Sequence, residues 1–169
     1  MYKIDKPFVM FIYGFPCSGK TTLAKKIKDI FGDEIEHIEE DNTIKKSKND
    51  IIDNHTKSLI EIKNIDKSVV VSMVLTYNES RESNRKLLKD KYIQVYLDCP
   101  LSECERRDVE GLYKKSRFGK NKYFIGNNMK FEMNDRNDDV IINTEYLDSD
   151  FCINQILEFL IDKKFIQKM

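Results

Sequence analysis

The feature that most constrains this sequence is a glycine-rich turn between an apolar run and a helical pattern. Residues 8–13 are apolar or aromatic and stop at Gly14, which is typical of a buried strand. Residues 19–30 then place Leu23, Ile27 and Ile30 on one face of a predicted helix. Between them, Gly14 to Thr21 reads G-F-P-C-S-G-K-T and matches G-x-x-x-x-G-K-S/T in the strand, loop and helix context that this pattern requires.

Strands and helices alternate along the rest of the chain. Further strands are predicted at 34–38, 69–75, 93–98 and 140–143, and further helices at 51–65, 79–89 and 150–165. The last helix should turn one set of apolar residues inward: Ile153, Ile156, Leu157, Leu160 and Ile161. We therefore predict an α/β fold of the P-loop kinase type, with a mostly parallel central sheet flanked by helices.

Length and composition set the expected organisation and partners. With 169 residues, we expect one domain over residues 1–169, and the polar, Lys-, Asn- and Gly-rich stretch at about 108–137 predicts a late basic lid. Basic and acidic residues both number 29, which argues against a nucleic-acid partner. No apolar run approaches the ~20 residues of a membrane span and the start lacks a signal-peptide pattern, so we expect no membrane partner and a cytoplasmic location. The four cysteines have no metal-site spacing and are expected to be reduced thiols.

The glycine-rich turn predicts a site for ATP and Mg²⁺. Glycines let backbone N–H groups face phosphate oxygens, and the start of the following helix adds partial positive charge. Lys20 should reach the β- and γ-phosphates, and the Thr21 hydroxyl should bind Mg²⁺. Hydrolases, switches and small-molecule kinases share this loop, but the chain length and the late lid favour a small-molecule kinase.

Asp41 is the leading candidate for an acid in the reaction. It lies just past a predicted strand, at the sheet edge where ligands gather in open α/β folds. No acidic residue follows residues 69–75, where a second metal-organising acid is usual. Asp41 could accept the proton of an attacking hydroxyl or hold a Mg²⁺-bound water, but solvation of a strand end is an equal alternative.

Residues 95–126, VYLDCPLSECERRDVEGLYKKSRFGKNKYFIG, resemble the adenylylsulfate kinase family. The family pattern is roughly D-x-P-L-x-x-C-E-x-R-D-x-x-G-L-Y-K-K-A-R, followed by F-T-G. The turn GFPCSGKTTLA, the acidic EEDN and the segment VVVSMVLTYNESR occur in the family order. The resemblance implies a kinase that transfers the γ-phosphate of ATP to the ribose 3′-hydroxyl of a nucleotide with a modified 5′-phosphate.

The resemblance assigns roles to individual positions. Arg107 would bind on the ATP side, and Asn42 would lie beside Asp41 at the acceptor. Lys114 and Lys115 would bring lid charge toward the phosphates and the charged 5′ group of the acceptor, and Phe124 would stack on the acceptor base. Tyr77, just past the central strand, could touch the acceptor or pack beneath the lid. The ATP loop would comprise Gly14, Pro16, Cys17, Ser18, Gly19, Lys20, Thr21 and Thr22.

Several departures from the family pattern fall on the acceptor side. Glu40 stands where the family has glycine between two acids, and Ile44 stands at an arginine position, with Lys45 one residue later. Residues 43–64 contain no arginine, although the family binds adenylyl sulfate there with arginines. Lys45 is therefore a candidate for acceptor binding. The pattern resembles the branch that phosphorylates cytidine 5′-diphosphoramidate in capsule polysaccharide biosynthesis.

Three other functions stay open at this point. The chain could act on adenylyl sulfate, act on another small alcohol, or be an ATP-binding regulatory module without turnover. Relatives in this family are often dimers, so a homodimer is also left open.

Overall fold

The computed structural model describes residues 1–40, 47–108, 110–119, 130–133, 137–146 and 148–169. Seven strands and six helices occur in this part of the chain, with 3₁₀ turns at Gly32–Glu34 and Lys89–Lys91. In chain order they are β1 (Tyr2–Ile4), β2 (Val9–Tyr13), α1 (Lys20–Phe31), β3 (Ile35–Glu39), α2 (Lys48–Lys63), β4 (Ser68–Met73), α3 (Asn78–Leu88), β5 (Tyr92–Asp98), α4 (Leu101–Arg106), α5 (Leu112–Arg117), β6 (Val140–Asn143), α6 (Ser149–Asp162) and β7 (Ile166–Lys168).

Five strands form one parallel sheet in the order β3-β4-β2-β5-β6. The strand before the glycine-rich turn, β2, is central, and every residue of β2 and β4 is buried. Such burial on both faces explains why β4 is a nearly continuous apolar run. The predicted α/β fold with a parallel sheet is confirmed.

Side chains of β2 alternate between two apolar layers. Met10 and Ile12 join a core cluster with residues of α1 and α6, while Phe11 and Tyr13 join a cluster with residues of α2 and α3. Because β2 runs parallel to β4 and β5 and ends at Tyr13, the turn that follows emerges at the carboxyl edge of the sheet.

Two apolar positions were assigned to the wrong environment. Ile161 is 38% exposed, although it was expected to face inward. Ile30, which was expected on one helix face with Leu23 and Ile27, is 39% exposed while those two are buried. Phe31 is buried in place of Ile30. The last helix ends at Asp162, and β7 then pairs antiparallel with β1 in a separate two-stranded sheet.

The segment after β5 contains more regular structure than the sequence predicts. Two six-residue helices, α4 and α5, bracket Asp108, where the lid was expected to begin. Residues 120–129 and 134–136 of the expected lid lie outside the described residues. The lid and the single domain over 1–169 therefore stay predictions.

All four cysteines are free thiols, as expected. Among the helices that the structure describes, none combines the length and apolar character needed to cross a bilayer.

Candidate nucleotide site

The glycine-rich turn lies between the end of β2 and the first residue of α1, Lys20. A Cβ added at Gly14 would lie 2.9 Å from the Leu97 carbonyl oxygen and 3.0 Å from Ser18 Oγ, so only glycine fits between the turn and β5. Cys17 and Gly19 have left-handed φ angles of 64° and 101°. When left-handed residues alternate with residues of ordinary φ, successive backbone N–H groups can face one side of a loop.

A cavity of about 560 Å³ opens at the start of α1. This volume lies in the range of small-molecule sites, roughly 300–1,000 Å³. Its wall includes most of the predicted ATP-binding residues, namely Cys17, Ser18, Gly19, Lys20, Thr21, Thr22 and Arg107. Gly14 and Pro16 belong to the turn but do not line this cavity. Burial raises the pKa of the Cys17 thiol, which therefore stays protonated at neutral pH.

Lys20 is held under the turn rather than extended into solvent. Its side chain donates from Nζ to the Phe15 carbonyl oxygen over 2.5 Å, and the residue is only 9% exposed. Loss of hydration lowers the pKa of Lys20 to about 8. The ammonium is therefore mostly charged at neutral pH and close to the backbone that would cradle a phosphate.

Thr21 is paired with a carboxylate that sequence reasoning missed. Its hydroxyl donates to Glu39 Oε1 over 2.5 Å, and Glu39 is the last residue of β3. A threonine hydroxyl and a carboxylate are oxygen ligands of the kind that Mg²⁺ takes, usually alongside waters and substrate phosphates. The residues present therefore fit a Mg²⁺ site. The signal for Glu39 was the family's pair of acids, of which only the second, Asp41, was selected.

No cluster of three or more metal-binding side chains occurs in the described ranges, which leave out Asp41. Asn42, Lys45 and Phe124 also lie outside the described residues. The roles predicted for these four residues therefore stay predictions.

Arg107 lines the cavity, but its guanidinium also bonds to the protein. It donates to the Glu103 carboxylate over 2.7 Å and to the carbonyl oxygens of Thr144 and Glu145 over 2.6 and 3.1 Å. These contacts join α4 to the chain after β6. The predicted ATP contact would have to use the planar face of the guanidinium or an N–H group that these bonds leave over.

On the other side of β2, Tyr77 is buried at the start of α3, with Lys48 Nζ 4.9 Å from its ring centroid. The same ammonium lies 3.0 Å from Glu132 and 3.5 Å from Glu79. The residues on either side of Tyr77 bond to Glu132: the Thr76 carbonyl oxygen accepts from the Glu132 N–H over 3.1 Å, and the Asn78 N–H donates to the Glu132 carboxylate over 3.0 Å. The two roles considered for Tyr77 stay predictions. Lys114 and Lys115 are exposed on α5.

Arg81 is a second residue that sequence reasoning missed. It is 1% exposed and donates to the carbonyl oxygens of Leu75 and Glu132 over 2.7 and 2.6 Å. Its guanidinium carbon lies 5.4 Å from the Tyr13 ring centroid. The family segment that ends in Y-x-x-x-R contained this arginine, but the pattern alone did not show that it faces inward.

The fold and the site define a protein of the P-loop class, because the glycine-rich turn lies at the carboxyl edge of a parallel sheet and is followed directly by the lysine and the threonine hydroxyl. The family model for adenylylsulphate kinase matches residues 44–143. An adenylyl-sulfate kinase of Clostridium kluyveri is 31% identical over 161 residues, covering 87% of this chain and 80% of the relative. One of Staphylococcus epidermidis is 30% identical over 175 residues, covering 95% and 87%.

This chain therefore belongs to the adenylylsulfate kinase family, whose members transfer a phosphoryl group to a hydroxyl. A solved structure, Mycobacterium tuberculosis APS kinase in complex with AMPPNP and APS, superposes with a TM-score of 0.81 at 23% identity, covering 92% of this chain and 98% of that one. A gluconokinase from Sinorhizobium meliloti gives a TM-score of 0.61 at 17% identity, covering 94% of each chain. At these identities the likeness shows the shared fold.

Proposed function

We propose that this protein transfers the γ-phosphoryl group of ATP to the ribose 3′-hydroxyl of a nucleotide whose 5′-phosphate is modified. The observation that carries the proposal is the grouping of the turn, the buried Lys20 ammonium and the Thr21–Glu39 pair at the first turn of α1. Phosphoryl transfer depends mainly on positioning and on stabilising charge at the transferred group.

Each group has a role in this reaction. Backbone N–H groups of the turn would bind the phosphate oxygens, and Lys20 would neutralise charge that develops on the transferred group. Thr21 and Glu39 would hold Mg²⁺, which supplies charge neutralisation at the β- and γ-phosphates when bound. Asp41, two residues after the end of β3 at Glu39, would accept the 3′-hydroxyl proton or orient a metal-bound water.

Cytidine 5′-diphosphoramidate is the acceptor that we propose. Residues 43–64 contain no arginine, where the family uses arginines for adenylyl sulfate. The nearby Arg81 does not replace them, because its two terminal nitrogens bind carbonyl oxygens inside the protein. Lys48 is already neutralised by Glu79 and Glu132. A site without those arginines suits an acceptor that is not a sulfated AMP.

Adenylyl sulfate is the second candidate acceptor. It is favoured by the names of the curated relatives, which match this chain over most of their length. The two acceptors differ in base and in the group on the 5′-phosphate, so a direct comparison separates them.

The test measures ADP release with ATP and Mg²⁺ against adenylyl sulfate, cytidine 5′-diphosphoramidate, CDP and CMP. Phosphorus NMR of the product locates the new phosphate, and Lys20→Ala reports contaminating kinases. We expect the cytidine phosphoramidate to give the highest kcat/KM, with a 3′-phosphate in the product. Preference for adenylyl sulfate assigns the second candidate, and ATP binding without turnover on any acceptor contradicts the kinase proposal.

Asp41→Asn tests the proposed base. We expect kcat to fall by about 10²–10⁴-fold while the KM for ATP changes little, because the carboxylate would act on the proton of the acceptor. Steady-state kinetics at saturating acceptor measures both constants. A change confined to the KM for ATP would show that Asp41 organises binding and that the base lies elsewhere.

A further inference from the structure

Three carbonyl groups of the glycine-rich turn have partners, and they do not all face the same way. The Phe15 carbonyl oxygen accepts from Lys20 Nζ and from the Ser18 N–H over 2.5 and 3.2 Å, so it faces into the turn. The Pro16 carbonyl oxygen accepts from the Tyr113 hydroxyl over 2.8 Å. The Ser18 carbonyl oxygen accepts from Thr144 Oγ1 over 2.9 Å.

The partners of these carbonyls determine where the N–H groups point. Every peptide bond in the described residues is trans, so each C=O is antiparallel to the N–H of the next residue. Drawing the Pro16 carbonyl toward Tyr113 directs the Cys17 N–H the opposite way. The hydrogen bond from Thr144 to the Ser18 carbonyl likewise directs the Gly19 N–H away from Thr144. The peptide whose carbonyl faces inward precedes Pro16, which has no N–H to offer.

Both donors are buried, and they come from elements far along the chain. Tyr113 is 2% exposed in α5, and Thr144 is 6% exposed directly after β6. Burial raises the pKa of Tyr113, so its hydroxyl keeps the proton it donates. These are the conditions under which a neutral hydrogen bond can hold a backbone orientation without competition from water.

Two consecutive residues hold these donors in place. Arg107 donates to the Thr144 carbonyl oxygen, and the Asp108 carboxylate accepts from the N–H groups of Leu112 and Tyr113 over 2.9 and 2.8 Å. The Asp108 contacts satisfy the first turn of α5, a helix too short to be stable alone. Each member of the Arg107–Asp108 pair therefore fixes one of the two donors.

We propose that Tyr113 and Thr144 are positioning residues for phosphate binding: by holding the Pro16 and Ser18 carbonyls, they orient the Cys17 and Gly19 N–H groups toward the phosphates of ATP. The inference rests on the proposed ATP site. It assigns Arg107 and Asp108 a role in maintaining the turn, in addition to any contact that Arg107 makes with the nucleotide.

The experiment compares Tyr113→Phe and Thr144→Val, which remove one hydroxyl each and keep the side-chain shape. Calorimetry measures binding of Mg²⁺-ATP, Mg²⁺-tripolyphosphate and adenosine. We expect each variant to bind ATP and tripolyphosphate about five- to tenfold more weakly, with adenosine affinity unchanged, since only the phosphate contacts depend on the turn. Thr144→Ser, which restores the donor, should recover the affinity for tripolyphosphate.

Tyr92→Phe is the matched control. The Tyr92 hydroxyl is also buried and donates to Gln94 Oε1 over 2.8 Å, but it lies at the amino end of β5. The Tyr92→Phe variant should therefore bind ATP, tripolyphosphate and adenosine with unchanged affinity. Equal loss of adenosine binding in the Tyr113 and Thr144 variants would indicate general disruption and contradict positioning.

The two proposals can fail separately. Wild-type affinity for ATP and tripolyphosphate in both variants would overturn the inference and leave the proposed function intact. A wild-type protein that binds neither compound would overturn the proposed function, and the inference with it.

Discussion

At the scale of single residues, the binding role that we propose for Lys20 comes with a cost in stability. Its pKa of about 8 lies below the ordinary value of 10.5, so the folded protein binds fewer protons than the unfolded chain between these pH values. Stability therefore rises with pH through this window, and the full cost of burying the charged lysine is present below pH 8.

We predict that Lys20→Met abolishes turnover but stabilises the nucleotide-free protein at pH 7 by about 2 kcal/mol. This figure is the free-energy cost of burying the charged lysine, which its lowered pKa reports, minus the stabilisation that is lost with the hydrogen bond to Phe15. The advantage should shrink as pH rises from 8 to 10.5. Urea unfolding at several pH values measures it, with exposed Lys25→Met as control. A variant less stable than wild type at pH 7 would contradict the argument.

Gly14 gives a second prediction at this scale. In Gly14→Ala, the new Cβ meets the Leu97 backbone 2.9 Å away, so the turn or β5 must move. We expect ATP affinity to fall at least tenfold and stability to fall by about 1–3 kcal/mol. Calorimetry and urea unfolding measure the two effects.

Gly32→Ala is the control for backbone strain alone. Gly32 also has a positive φ, 57°, but nothing lies within 4 Å of its added Cβ. It should cost about 1 kcal/mol of stability and leave ATP affinity unchanged. Equal ATP affinities in the two variants would show that the contact with Leu97 does not position the turn.

The local pattern was enough to predict Lys20, Thr21 and the glycines of the turn. It was not enough for Glu39, Tyr113 or Thr144. The contacts that these residues make with the turn and with Thr21 span 18, 97 and 126 residues, and only the folded sheet creates them. A short motif shows the residues of the turn, but not the side chains that hold it from outside.

At the scale of elements, helix boundaries were predicted less accurately than helix positions. Helix α2 was predicted from Ile51 because apolar spacing begins there, yet it starts at Lys48. Ser47 caps the helix by accepting from the Asp50 N–H, and the Asp50 side chain accepts from the Ser47 N–H. These polar capping residues add a turn that hydrophobic spacing does not record.

Arg81 joins the start of α3 to residues 130–133, and its replacement tests that connection. A lysine at this position cannot reach the Leu75 and Glu132 carbonyl oxygens together, so Arg81→Lys should lose about 2–4 kcal/mol of stability. Urea unfolding measures the loss. Arg117→Lys, at an exposed ion pair with Glu105, should change stability by less than about 0.5 kcal/mol. Similar values for the two variants would contradict a structural role for Arg81.

At the scale of the whole molecule, the two ends of the parallel sheet have different roles. The candidate site lies at the carboxyl edge, while β1 and β7 pair beyond the amino edge, where Phe8 packs against Phe165. The sequence predicted the alternating strands and helices, but three-residue strands such as β1 and β7 are too short for a detectable period. The homodimer expectation stays a prediction.

This separation predicts that stability can change without a change in activity. Ile166, in β7, is buried in the same core cluster as β2 and α6. Ile166→Ala should lower the free energy of unfolding by about 2–4 kcal/mol and leave the KM for ATP unchanged well below the melting temperature. Urea unfolding and kinetics measure the two effects, and exposed Lys168→Ala is the control. A changed KM would show that the two ends of the sheet are coupled.

The ladder between β1 and β7 also brings Met1 and Met169 together, because the Met169 N–H donates to the Met1 carbonyl oxygen over 3.0 Å. A short peptide could therefore link these two positions covalently. Opening the chain instead at the exposed turn of Lys89–Lys91 would give a circular permutant with the same three-dimensional arrangement and a different order of synthesis. Comparing the refolding rates of the two forms would show whether the connection between α3 and β5 takes part in the rate-limiting step of folding.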